Sequence, residues 1–280
     1  MPLSPRTLRP SSSAIHKEAA AWKTAVVSNG GSVSGSTLKA VSKFCRDIDA
    51  AGLRGIFYRL NLFAGTGLNA ALVPLYRGPS SSGTQYGNTV DTNVGPFVSG
   101  DYSESSGLQG NGTSKYLQTG FPGNTVLAGN RHQSAYEIAR DPNAYRLLMG
   151  VQDDAGGTYY WTLGNGAAAT TTSASFYFSV SSTNNTVGGH WVASDAASNY
   201  FGLYKNGVIS ASSANTTKAT ANARTVLVFA SNTNPNSVAP GNYTAARMGG
   251  YSIGLGMSAS QAAAYYTAMQ ALQTALARNV

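Results

Sequence analysis

Phe201-Gly202-Leu203-Tyr204-Lys205-Asn206-Gly207-Val208-Ile209 places an Asn-Gly pair between two short apolar runs. Both central residues of a type I′ turn need positive φ, which Asn and Gly adopt at the lowest steric cost. The stretch therefore predicts a tight β-hairpin that belongs to an antiparallel sheet.

Short apolar runs separated by Gly, Asn and Ser recur on both sides of this hairpin. Regularly spaced short strands with turn residues between them are typical of an all-β sandwich or barrel. Residues 77–100 show little periodicity and are predicted to form a long surface loop. The predicted strands are 58–63, 115–119, 134–139, 145–151, 158–163, 175–180, 189–193, 200–204, 207–210 and 225–230.

Helical periodicity is confined to the two ends of the chain. Residues 15–27 and 36–51 carry apolar side chains at spacings of three and four, which predicts two helices that form a hairpin. Ser258 and Gln261 have the spacing of a capping box and begin a third helix. Helices this short are marginal alone, so the first two are expected to pack on the sandwich. The predicted organisation is an extended docking arm (1–13), a helical region (14–54) and a sandwich with its C-terminal helix (55–280, the helix at 258–278).

The composition is that of a β protein with few charges. Of 280 residues, 42% are hydrophobic, enough for a sizeable core, and only 11% are charged. The single cysteine, Cys45, excludes a disulfide within the chain and argues against a thiolate metal site. It falls on the apolar stripe of the second helix, so we assign it to core packing. The N-terminus has no apolar stretch of the signal-peptide type, and no run is long enough to predict a membrane span.

Positive charge is concentrated near the N-terminus. Of the net charge of +8, residues 1–60 contribute +6, from nine Lys and Arg against three Asp and Glu. These charges are dispersed, without a basic block or interleaved aromatic residues, so we predict a protein-docking surface and no nucleic-acid binding. The candidate docking residues are Arg6, Arg9, Lys17, Trp22 and Lys23.

The residue pattern argues against an enzyme. Retaining glycosidases need two carboxyl groups about 5–5.5 Å apart, which residues i and i+2 of one strand can supply. The only glutamates, Glu18, Glu104 and Glu137, are isolated in the sequence. No nucleophile motif, phosphate-binding loop or dinucleotide fingerprint is present. We therefore predict a protein that binds or builds without catalysis.

Carbohydrate binding fits the composition better. Sugar sites pair aromatic ring faces with amide side chains, and the middle of the chain supplies both. Most aromatic residues of a β protein pack on pleated surfaces, so a structural role is the alternative for each ring. The candidate glycan-binding residues are Tyr159, Trp161, Tyr177, Trp191 and Tyr200 for the rings, and Asn184 and Asn185 for the amides, with Asn165 in a neighbouring loop.

Three segments together resemble the concanavalin A-like, or laminin G-like, jelly roll. Residues 108–120 look like its early "G-x-G-x-x-x-Y-L" strand, residues 203–208 like its "L-Y-x-N-G" hairpin, and residues 246–254 like its closing strand. The resemblance covers about residues 55–280 and implies a mainly β chain folded as an antiparallel jelly-roll β-sandwich. Because laminin G-like domains often bind Ca²⁺ through loop carboxylates, Asp153 and Asp154 become a candidate Ca²⁺ site, with an ordinary turn as the alternative.

The whole arrangement also resembles structural proteins of tailed bacteriophages and prophages. Asn29-Gly30-Gly31-Ser32-Val33 is similar to their "N-G-G-x-V" lead-in, residues 251–272 are similar to their final strand and helix, and Met1–Pro10 looks like the start of fibre-type proteins. The resemblance implies a non-enzymatic virion protein on the head or tail surface, made in the host cytoplasm without a signal peptide. A tail or head fibre or a baseplate-associated module would bind host-surface glycans. The alternatives are a capsid decoration protein with no ligand and a glycan-processing enzyme on the same fold. The implied partners are other virion proteins and further copies of the chain, with a trimer favoured.

Overall fold

The computed structural model describes residues 14–152, 160–176, 178–183, 187–197, 200–214, 223–233 and 238–280. The predicted docking arm, residues 1–13, lies outside this part of the chain. The helices described are α1 (Lys17–Ser28), α2 (Gly35–Ala50), the short α3 (Leu68–Ala71) and α4 (Ala259–Ala275). They fall close to the three predicted helical segments, with α3 added. None of the described helices is both long and apolar enough to cross a membrane.

The strands form two sheets whose neighbours are antiparallel, apart from one short parallel contact. In spatial order, the first sheet contains β13 (Val208–Ser213), β12 (Tyr200–Lys205), β11 (Gly189–Ala197), β6 (Arg131–Ala139), β17 (Arg247–Gly254), β4 (Gly107–Gln109) and β3 (Tyr102–Ser103), and β1 (Phe57–Asn61) also pairs with β17.

The second sheet lies opposite the first. In spatial order it contains β10 (Phe178–Ser182), β9 (Thr172–Phe176), β8 (Tyr160–Asn165), β7 (Leu147–Gln152), β14 (Thr225–Val228), β5 (Tyr116–Pro122) and β2 (Thr92–Val94), with β15 (Ser231–Asn232) and β16 (Pro240–Gly241) at the side. The predicted antiparallel β-sandwich is confirmed. The predicted loop at 77–100 contains β2, and Asp91 and Phe97 within it are buried.

The turn that predicts the fold forms as expected. Lys205 pairs with Val208 across the turn, and Asn206 and Gly207 both have positive φ, 51° and 76°. The predicted single strand at 175–180 is wrong, because the chain reverses there: Ser179 pairs with Ser175, and β9 and β10 form a hairpin. The alternating Ser-Phe-Tyr-Phe-Ser-Val sequence contains no Gly, Asn or Pro to signal that reversal.

The two sheets differ in what covers their outer faces. One apolar cluster fills the space between the sheets and includes Ala135 of β6. A second lies between the first sheet and helices α1, α2 and α4, and includes Tyr136 of the same strand and Cys45 of α2. Since successive strand residues point to opposite faces, the first sheet is buried on both sides. The predicted packing of the helices on the sandwich and the core position of Cys45 are both confirmed. The outer face of β7–β10 is therefore the open sheet surface.

Candidate functional site

Small hydroxyl side chains cover the outer face of β8, β9 and β10. Trp161, Leu163, Ala174 and Val180 belong to the core between the sheets. The residues that alternate with them therefore face outward. These outward residues are Thr162, Ser173, Ser175, Ser179 and Ser181.

The strand register arranges these hydroxyls in rows. Ser175 lies between Thr162 and Ser179, and its Oγ is 2.6 Å from the Ser179 Oγ. In the next row, the Ser173 Oγ is 2.8 Å from the Ser181 Oγ. Because these side chains are short, the sheet surface is hollow here and forms a groove of about 490 Å³. We call it the serine groove; its walls are Tyr145, Leu147, Gln152, Asn165, Gly166, Ala167 and Asn242.

Tyr145 supplies the exposed aromatic ring of the serine groove. Its side chain is 64% exposed, although tyrosine rings are commonly half-buried or more. Its backbone has φ of 52°, a left-handed conformation that is rare for a bulky residue. A hydrogen bond from the Tyr145 N–H to the Gly166 carbonyl, 2.9 Å long, holds the backbone in place. Such strain of about 1–3 kcal/mol persists where the surroundings impose it, often at ligand sites.

Asn165 is oriented by the loop that precedes β7. Its Nδ2 donates to the carbonyls of Asp141 and Asn143, at 2.9 and 2.8 Å. Both amide hydrogens are thereby used, and the Oδ1, in a side chain that is only 3% exposed, remains as a hydrogen-bond acceptor. Asp141 in turn accepts hydrogen bonds from the backbone N–H groups of Asn143 and Ala245. The amide is thus held rigidly from behind at one end of the serine groove.

The described lining of the serine groove is neutral and rich in hydrogen-bonding groups. Two further amides, Gln152 and Asn242, stand across from each other, with the Asn242 Nδ2 3.5 Å from the Gln152 Oε1. Among the described residues that line the groove, none carries a carboxylate or a cationic group. Hydroxyl and amide groups beside one exposed ring suit a neutral, polyhydroxylated ligand.

Two of the predicted glycan-binding rings are not available to a ligand. Trp161 and Trp191 are 1% and 0% exposed and belong to the core between the sheets. The Trp191 Nε1 donates to the Glu137 carboxylate at 3.1 Å, and burial of that carboxyl group raises its pKa. These predictions are wrong because alternation places both rings on the inward face of their strands. Tyr200 is half-buried on the first sheet, away from the serine groove.

The other residues predicted to bind carbohydrate or metal lie either in the serine groove or outside the part of the chain that the structure describes. Of the residues proposed from the sequence for carbohydrate binding, Asn165 is the one that the structure places in the serine groove. The predicted site residues Tyr159, Tyr177, Asn184, Asn185, Asp153, Asp154, Arg6 and Arg9 lie outside the described residues.

The predicted docking residues of α1 have different environments. Lys17 and Lys23 are exposed. Trp22 is 3% exposed, and its Nε1 donates to the Val73 carbonyl at 3.1 Å. Its assignment to a docking surface is therefore wrong, because the ring fills the core between α1 and the sandwich.

Sequence reasoning missed most of the serine groove. Tyr145, Gln152 and Asn242 stand at strand ends, and their proximity depends on the fold. The alternation of Ser173, Ala174 and Ser175 was a usable signal, since a strand of this kind exposes one hydroxyl face.

The comparisons with known proteins reach the fold only. No protein-family model and no curated protein matches the chain. Domain 4 of AbnA, a GH43 extracellular arabinanase from Geobacillus stearothermophilus solved with arabinotriose, is 14% identical with a TM-score of 0.46, over 74% of this chain and 98% of that one. A Trypanosoma rangeli sialidase mutant displaying trans-sialidase activity is 12% identical with a TM-score of 0.48, over 84% of this chain and 39% of that one. The enzymatically active domain of bacteriophage CBA120 tailspike protein 2 is 12% identical with a TM-score of 0.37, over 67% of this chain and 32% of that one. The chain thus spans well under half of the sialidase and tailspike chains.

Proposed function

We propose that this protein is a non-catalytic, glycan-binding β-sandwich and that the serine groove holds the glycan. The observation that carries the proposal is the exposed ring of Tyr145 at the rim of a neutral groove lined by hydroxyls and amides. A sugar ring would stack one apolar face on Tyr145. Its hydroxyls would donate to the Asn165 Oδ1 and exchange hydrogen bonds with the serine rows.

The dimensions suit a short oligosaccharide. The groove volume of about 490 Å³ falls in the usual range of small-ligand sites. Four strands, β7 to β10, cross its floor, and at about 4.8 Å per strand they span about 14 Å. Neutral sugars fit better than sialylated or sulfated ones, because no cationic side chain lines the described part of the groove.

Binding is proposed in preference to hydrolysis because of the groove chemistry. Glycoside cleavage requires an acid and a second carboxylate placed around the scissile bond. Asp141, whose backbone carbonyl holds the Asn165 amide, is buried, and its carboxylate accepts hydrogen bonds from the backbone N–H groups of Asn143 and Ala245. A polysaccharide panel incubated with the protein should therefore yield no new reducing ends.

The proposed setting is the surface of a phage head or tail. This part of the proposal rests on the sequence resemblance to phage structural proteins. The serine groove lies on the outer face of one sheet, and helices α1, α2 and α4 cover the opposite sheet. In this arrangement the helical side and residues 1–13 would attach the chain to other virion proteins, as a homo-oligomer with a trimer favoured, and the groove would face outward. Immunogold labelling of particles would locate it.

The test is a glycan array probed with the full chain, followed by calorimetric titration of the best neutral ligand. Tyr145→Ala should weaken binding by tenfold or more, because stacking on the ring is lost. Tyr145→Gly should also lose binding while leaving stability equal or higher, because glycine adopts positive φ without strain. Leu127→Ala is the matched control, since Leu127 is 68% exposed and lies outside the groove.

Three results would count against the proposal. Unchanged affinity in both Tyr145 variants would show that the glycan binds at a site other than the serine groove. An absence of any glycan ligand, with normal incorporation into particles, would favour a decoration protein. Release of sugar by the wild-type chain would restore the enzyme hypothesis.

A further inference from the structure

A second cluster of chemically active side chains lies where α1 begins and crosses α2. His16, Glu18 and Cys45 bring a ring nitrogen, a carboxylate oxygen and a sulfur to within 4.8 Å of one another. His16 and Glu18 are 29 and 27 positions from Cys45 in the sequence, so only the packing of α1 on α2 unites them. The cluster lies on the helical side of the first sheet, remote from the serine groove.

Each of the two polar ligands has its own orienting partner. The His16 Nε2 is 2.9 Å from the Asp49 Oδ2, which leaves the Nδ1 as the nitrogen on the side of Glu18. The Arg54 Nε donates to the Glu18 Oε1 at 2.6 Å. Carboxylate–histidine pairs of this kind fix the tautomer and raise the basicity of a metal-ligating imidazole.

The buried polar atoms at the cluster differ in their partners. The Glu18 Oε2 is buried and has no hydrogen-bond partner among the described residues. The Tyr76 hydroxyl, in a side chain 1% exposed, faces the Cys45 thiol and makes no other hydrogen bond in the described part of the chain. A buried carboxylate oxygen without a partner costs about 1–3 kcal/mol or more, so the Glu18 Oε2 points to a missing ligand.

We infer that His16, Glu18 and Cys45 form a site for a divalent transition metal of the Zn²⁺ type. One imidazole, one carboxylate and one thiolate are ligands that Zn²⁺ accepts, and three protein ligands leave the fourth tetrahedral position open to water. Metal–ligand bonds of about 2.0–2.3 Å require donors closer than 4.8 Å, so the side chains would close in by about 1 Å on binding.

A cavity lies beside Glu18, at the edge of the cluster. A cavity of about 320 Å³ is lined by Glu18, Trp22, Arg54 and Tyr76 among others. His16 and Glu18 themselves are 14% and 21% exposed at the side chain. The two polar ligands of the cluster are therefore partly open to solvent, and Cys45 lies beneath them.

Metal binding would remove one hydrogen bond at His16 and one proton from Cys45. The His16 Nδ1 would give up the hydrogen bond from the Glu18 N–H, which at 3.3 Å is long and weak. Burial raises the pKa of the Cys45 thiol to about 12, so the metal-free thiol is protonated and binding releases that proton to solvent. In return the metal would pin the first turn of α1 to α2.

Co²⁺ titration of the full chain, purified without a histidine tag and stripped with a chelator, tests the site directly. One equivalent of Co²⁺ should produce a thiolate-to-cobalt charge-transfer band. Added Zn²⁺ should displace the Co²⁺, and the band should then disappear. Zn²⁺ should also raise the melting temperature, because it binds the folded state. Glycan binding should be the same with and without the metal.

The variants separate the site from nonspecific binding. Cys45→Ser should abolish the charge-transfer band, and His16→Gln and Glu18→Gln should each weaken Zn²⁺ binding by roughly tenfold or more. Asp47→Asn removes a partly exposed carboxylate from the same helix, outside the cluster, and should change nothing. If Cys45→Ser fails to fold, the His16 and Glu18 variants decide the question. Absence of a stoichiometric band, or equal Zn²⁺ affinity in the His16, Glu18 and Asp47 variants, would overturn the proposal.

Discussion

The Arg59 Nη2 lies 2.6 Å from the Asp91 Oδ1, and both side chains are completely buried. The Tyr251 hydroxyl accepts from the Arg59 Nε at 2.8 Å and reaches the Asp91 carboxylate at 2.8 Å, while the Asn61 Nδ2 donates to the Asp91 Oδ2 at 2.7 Å. Burial by itself lowers the pKa of Arg59, but Tyr251 and Asp91 together raise it, so the guanidinium stays charged. This network joins β1 and β17 to the long segment before β2.

Replacing Asp91 by Asn should destabilise the fold strongly. The substitution keeps the shape but leaves the Arg59 charge buried without a counter-ion, which costs about 3–5 kcal/mol in comparable pairs. Asp47→Asn is the control, because Asp47 pairs with Lys43 at the surface and such pairs contribute about 0–1 kcal/mol. Urea unfolding followed by circular dichroism measures both. Equal unfolding free energies for the two variants would contradict the assigned role of the network.

The hairpin turn provides a second prediction. Gly207 has φ of 76°, and a Cβ added there would lie 2.9 Å from the Ala263 Cα in α4. Gly207→Ala should therefore cost more than the about 1–2 kcal/mol of a left-handed L-residue. Gly35→Ala is the matched control, because Gly35 begins α2 with no atom near its added Cβ. Alanine favours the helix, so the control should be as stable as the wild type or slightly more stable. Urea unfolding measures the free energy of unfolding of both variants. An equal loss of that free energy in Gly207→Ala and Gly35→Ala would show that the turn and its contact with α4 contribute nothing specific to stability.

The buried histidines predict acid sensitivity. His190 is fully buried beneath α4. Burial, and to a smaller extent the nearby His132, lowers the pKa of His190 to about 3. Burial also lowers the pKa of His132, to about 4. Between about pH 6.5 and these values the unfolded chain binds more protons than the folded one, so stability falls as the pH falls through this window. Each histidine contributes a slope of up to about 1.4 kcal/mol per pH unit.

His190→Phe should reduce that slope. Phenylalanine fits among the Tyr136, Tyr265 and Tyr266 rings that surround the imidazole and adds no group that titrates. Unfolding free energies measured at half-unit steps from pH 7 to 4 give the comparison. Tyr266→Phe, a change in the same surroundings, should keep the wild-type slope. A His190→Phe slope as steep as that of the wild type would mean that this histidine does not drive the acid loss.

The regular elements were predictable because their signals are local. The Asn206-Gly207 turn, the stripe of Val41, Cys45 and Ile48 on α2, and the Ser258 cap of α4 each depend on a few neighbouring residues. The reversal between β9 and β10 left no such signal, and one strand was predicted where a hairpin exists.

The functional residues were predictable only in type. Aromatic and amide residues in the middle of the chain indicated carbohydrate binding, but Trp161 and Trp191 are core residues and Tyr145 carries the exposed ring. The alternation of residue types along a strand distinguishes its two faces, but it does not show which face the rest of the protein covers. Here the answer depends on the helices, which pack on the first sheet and leave the outer face of the second one open.

The amino-acid sequence by itself determined the turns, the helical stripes and the sandwich, since these follow from backbone sterics and side-chain periodicity. The tertiary structure alone decided which residues meet. It placed Tyr145 beside Asn165 across a loop, Arg59 against Asp91, and His16 against Cys45. Each meeting depends on long-range packing of apolar faces, and that packing has no local pattern from which it can be read.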